Sequence, residues 1–129
     1  MVTLALVCLP SFRLADLGVR TRVSRAGIDR VQTWAVGLMR QQLAGHSITD
    51  PKHRALVRVD LIPDYVRNLG GWVSVRGESP EDIQINIEFG GGFQHEGVIF
   101  VLPEHEPLSD DSSTQYYHWR EGVYGYQGP

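Results

Sequence analysis

Apolar residues recur along the chain with two different periods, and these divide it into a helical segment and several extended ones. Between Ser24 and Ala44, at about 100° per residue, Ile28, Val31, Ala35, Leu38 and Met39 fall within one arc, flanked by Trp34 and Gln42. Arg22, Asp29, Thr33 and Arg40 fall opposite. Ser24 suits the N-cap and Gly45 the left-handed position after the last turn, so the spacing predicts one long amphipathic helix. The clearest alternation follows a turn-rich GESPED stretch: Ile83, Ile85, Ile87 and Phe89 share one side of a strand, Gln84, Asn86 and Glu88 the other. That pattern predicts a half-buried strand.

Other segments read as extended too. Residues 2 to 9 and the VIFVL run at 98 to 102 are uniformly apolar, as in strands covered on both faces. Val57, Val59 and Leu61 alternate with Arg58 and Asp60, Trp72 to Arg76 forms a short strand, and Gly18 with VRTRV predicts another. Thr49-Asp50-Pro51 opens a short helical turn, and residues 64 to 69 make a single turn ended by Gly70-Gly71. The order strand, helix, then several closely spaced strands predicts an α+β fold. Its expected form is one long amphipathic helix on a mainly antiparallel, curved sheet of about five strands, of the roll or cystatin-like kind. A single domain over 1–129 is expected, with residues 104–114 a polar loop and residues 122–129 a mobile tail.

Composition adds little to this except through charge and cysteine. Cys8 is the only cysteine, which excludes an intramolecular disulfide and suits a reducing cytoplasm. The N-terminal VTLALVCL has no basic residue before it and is short, so it reads as a strand rather than a targeting segment, and no membrane span is expected. The net charge of -3 hides a polarised chain: residues 1–76 sum to +6 and residues 77–129 to -9. Where the halves interleave in space, the asymmetry simply supplies intramolecular pairs; if they segregate, the molecule has a positive and a negative face for stacking or for charged partners. The acidic total, with no recognised binding motif, argues against nucleic acid despite Arg13, Arg20, Arg22, Arg25, Arg30 and Arg40.

Candidate chemistry gathers in GGGFQHEGVIFVLPEHE, residues 90–106, where a His-Glu pair precedes an apolar run and a Glu-His-Glu cluster follows it. Along a strand, Glu96 and Glu104 lie roughly 26 Å apart, so the two clusters cannot share one ion. The weak metal candidates are His105 and His118 with Glu104, approaching across a hairpin. Gly90, Gly91 and Gly92 precede a strand rather than a helix, which removes the usual phosphate cradle. Asp60 and Glu88, on polar strand faces, are the acid-base candidates, and Trp34 and Trp72 would line a ligand pocket between helix and sheet. No motif calls for a cofactor. Five aromatics within eleven residues, Tyr116, Tyr117, Trp119, Tyr124 and Tyr126, mark a candidate interface. The expectation is therefore a non-enzymatic interaction or assembly protein that pairs with itself, as a homodimer, or with another protein. The alternatives are a small-molecule module or enzyme between helix and sheet, and a metal-dependent enzyme of the C-terminal loop.

Overall fold

The computed structural model describes residues 11–44, 54–77, 79–90, 95–105, 107 and 113–128. The expected strand at 2 to 9, Gly45 and the turn at 49 to 51 lie outside the described residues, as does much of the 104–114 loop.

Two helices replace the single one expected: α1, Ser11–Ala26, and α2, Ile28–Leu43. Gly27 divides them with φ +97°, a backbone state that residues with a Cβ rarely adopt. Its N–H closes α1 on the Val23 carbonyl, and its own carbonyl accepts the Val31 N–H that opens α2. Gly27 rather than Ser24 is thus the N-cap of the apolar stripe. Residues 18 to 23, expected as a strand, belong to α1. Their alternating valines fit a helix equally well, because Val19 and Val23 are one turn apart. Asp16 and Ala26 extend the same face at helical spacing, and Asp16, Val19 and Val23 are all buried.

The remaining elements form an open, wholly antiparallel sheet. In chain order they are β1 Arg54–Leu56, a 3-10 turn Val59–Leu61, the one-turn helix α3 Asp64–Arg67, β2 Trp72–Arg76, β3 Gln84–Glu88, β4 His95–Val101, β5 Gln115–Arg120 and β6 Val123–Gly128. Across the sheet the order is β1-β2-β3-β4-β6-β5, five full strands and the three-residue β1. The strand expected at 57 to 61 is displaced upstream. Of that set only Val57 is fully buried, its N–H bonded to the Val73 carbonyl, while Leu61 packs partly against the core. The chain then turns, with Leu61 and Ile62 N–H groups bonded three residues back, and this presents the Leu61 carbonyl to the Trp34 indole N–H at 3.0 Å. A long-range bond thus accompanies a turn where local alternation predicted a strand.

The C-terminal segment also differs from expectation. Val123–Gly128 does not trail away but pairs with β4 on one side and β5 on the other. The whole aromatic segment is a hairpin whose second strand is interior.

Register assigns the two faces. On the inner face Val73, Ile87, Val98, Gly125 and Tyr117 make one row, and Val75, Ile85, Phe100 and Val123 the next. Val19 and Val23 of α1 and Val31, Ala35, Leu38 and Met39 of α2 pack into this layer. Each fully buried aliphatic there contributes roughly 1.5–3 kcal/mol of transfer free energy. The outer face carries Trp72, Glu88, Gly97, Tyr126 and Tyr116 in one row and Ser74, Asn86, Ile99, Tyr124 and His118 in the next. Its middle is buried as well: Gln84 is 2% exposed and donates to Asn86 Oδ1 at 3.1 Å, beside a small cluster of Ile99, Val101 and Tyr126. β3 is therefore enclosed on both faces, not half buried.

Candidate functional site

The aromatic hairpin is held by the core on one face and by a polar contact on the other. Trp119 is 8% exposed, and its indole N–H is shared between the two carboxylate oxygens of Asp16, at 3.2 and 3.3 Å. Gly125 makes room for this pair, since a Cβ there would collide with the Asp16 carboxylate and the Trp119 ring. Arg20 of α1 covers the indole, 5.9 Å from its centroid. Tyr126, also buried, donates its hydroxyl to Glu88 Oε1 at 3.1 Å, and the Tyr117 hydroxyl reaches Gln115. Gln32 and Asp29 of α2 bind the hairpin tip through the Glu121 carbonyl and the Arg120 guanidinium. None of Tyr116, Tyr117, Trp119, Tyr124 and Tyr126 is among the exposed residues: Trp119 and Tyr126 are buried, and the other three are partly buried against the domain's own core clusters.

The candidate pocket residues separate. Trp34 lies partly buried on α2, whereas Trp72 stands on the outer face of the sheet, 67% exposed. Asp60 is exposed and forms a two-point pair with Arg58 at 3.1 and 2.6 Å, far in role from the strand face expected for it. Glu88 is Trp72's register partner on β3. Besides the Tyr126 hydroxyl it has His95 Nδ1 3.3 Å from Oε2, within ion-pair reach but without hydrogen-bond alignment. The structure thus joins Glu88 with Trp72 and adds His95 and Tyr126, which sequence reasoning did not link to it. Their common signal was register: each is at an even step from the others across paired strands.

The metal candidates fare differently. His118 is exposed and tilts against the Tyr124 ring at 5.1 Å, while His105 Nε2 lies 3.9 Å from Glu104 Oε1. Among the described residues no three His, Cys, Asp or Glu side chains stand together as a metal-binding group. Nor is any described helix long and apolar enough to cross a membrane.

Sequence reasoning missed two surface features. On the outer face, Leu56 of β1 is 62% exposed and pairs with Ser74, which places it diagonally beside Trp72. Val59, also exposed, follows three residues later. On the helical side, a cavity of about 600 Å³ opens between α1 and α3 and includes Arg22, Arg25 and Tyr65 in its lining. Arg20 and Arg22 lie over the Trp119 and Phe89 rings and have no acidic partner among the described residues, whereas Arg120 of the acidic half pairs with Asp29 of the basic half. The chain matches no known protein family, no curated protein and no solved structure.

Proposed function

We propose that the chain is a non-enzymatic assembly protein that pairs with a second copy of itself through the outer face of the sheet at its β1–β2 edge. One observation carries the reading: Trp72 and Leu56, large apolar side chains on adjacent strands and one face, are both about two-thirds exposed. Exposed tryptophan is costly to leave in water and is among the residues that most often dominate protein interfaces. β1 is an edge among the described strands, but pairing there would leave Trp72, one strand further in, uncovered, so the two copies pack outer face against outer face across a two-fold axis and cover both patches. Three residues of backbone pairing would also be too few to hold two chains, so the side-chain patch must supply most of the affinity.

Light scattering at tens of micromolar tests this. The expected wild-type species is a dimer, weakened at least about thirtyfold by Trp72→Ala, as for a hot-spot residue worth roughly 2 kcal/mol. A strictly monomeric wild type, or a dimer indifferent to both Trp72→Ala and Leu56→Ser, overturns the proposal. Deleting residues 115 to 129 is no substitute, because it removes the interior strand β6 along with β5.

A further inference from the structure

The groove between α1 and α3 lies on the helical layer, away from Trp72, and has the chemistry of a ligand site in its own right. Gly18, Arg22 and Arg25 fall on one face of α1 at intervals of four and three residues, and all three line the groove. Gly18 leaves its part of that face bare, with open space where a Cβ would stand, and the two arginines rise one and two turns further on. The opposite wall brings the Tyr65 ring and the Asn68 amide, while Leu17, 46% exposed, offers an apolar contact at the mouth. Among the described residues no carboxylate lines the groove. Arg25 has no acidic partner among the described residues, and Arg22 is set by the Phe89 ring, 4.9 Å from its guanidinium carbon, which leaves its N–H edge to bind. Arg30 adds a third positive charge behind the wall, stacked 4.4 Å over Tyr65.

We infer that this groove binds a small organic anion, with its phosphate or carboxylate group held between Arg22 and Arg25 and its ring or alkyl body against Tyr65 and Leu17. Paired guanidiniums present forked donors that match such oxyanions, and a volume near 600 Å³ falls in the usual range for small-molecule sites. A neighbouring depression of about 400 Å³ shares Leu17, Thr21 and Arg25 and adds Arg20, which gives a longer ligand room to continue. An extended polyanion is the poorer fit, because the chain's net charge is -3 and the arginines converge on one cavity rather than track a strip.

Titration of the full chain with phenyl phosphate, benzoate, inorganic phosphate, phenol and a short oligonucleotide, followed by amide chemical shifts and thermal stability, tests the assignment. Expected are saturable shifts at residues 17–26 and 65–69 with phenyl phosphate or benzoate, weaker binding of inorganic phosphate, and none of phenol. Arg25→Gln and Arg22→Gln each reduce affinity about tenfold or more, as loss of a charge-assisted bond does, whereas Arg40→Gln on α2 leaves it unchanged. No saturable shift with any anion overturns the proposal. So does binding that Arg40→Gln weakens as much as Arg25→Gln, or affinity for an oligonucleotide alone, since both mean a diffuse basic face.

Discussion

The two edges of the sheet carry aromatic residues to opposite ends. At the β5–β6 edge the rings are dense and mostly turned to use inside the molecule: Trp119 meets a buried carboxylate, and Tyr126 binds Glu88. At the β1–β2 edge a single ring, Trp72, stands in solvent beside Leu56. Density of aromatics along a sequence therefore does not by itself say which rings stay exposed. A hairpin that inserts its second strand into a sheet, as β6 does between β4 and β5, needs large side chains on both faces for its own attachment. An edge strand with a short neighbour needs few, so a large ring left there is more informative.

The contrast can be broken first at Trp119. Trp119→Ala should destabilise the fold by about 3–5 kcal/mol in chemical denaturation, since it empties a core site and removes a donor from the buried Asp16 carboxylate. A loss under about 1 kcal/mol would mean that the hairpin is attached by other contacts. Gly125→Ala comes next, at about 1–3 kcal/mol, because the added methyl must displace both Asp16 and Trp119. Its effect should shrink when combined with Trp119→Ala, and a double-mutant cycle reads that coupling directly. Smallest is Trp72→Ala, expected within about 0.5 kcal/mol for the monomer measured at low concentration. A larger loss there would place Trp72 among the fold's own supports and reduce the distinction between the two edges.

Much of the fold was legible where local and global demands agree. Trp72–Arg76 and the strand cores at 84–88 and 98–101 follow from alternation or from continuous apolar runs, and the turn at 64–67 from Gly70-Gly71 beyond it, whereas His95 to Gly97, expected in the glycine-rich loop, begin β4. Errors arose where one pattern served two structures. Val19 and Val23 satisfy both a two-residue and a four-residue period, and only the helical contacts of Asp16 with Trp119 distinguish them. Val57 to Leu61 alternates yet turns, with its carbonyl at Leu61 taken up by Trp34 from α2. The site was less legible still. Nothing local marks Gly18, Arg22 and Arg25 as one face while the segment is read as a strand, and their facing wall at Tyr65 lies about forty residues away in the chain.

By itself the sequence determined the α+β class, the apolar stripe of α2, the central strands and the separation of positive from negative halves, because each rests on interactions within a few residues or on composition. Tertiary structure decided the break at Gly27, the placing of β6 inside the sheet, the burial of Trp119 and the exposure of Trp72. Those outcomes depend on which distant surface a residue meets. A side chain's period records that it has an apolar side to satisfy, but only the pairing order of the strands says what lies opposite it.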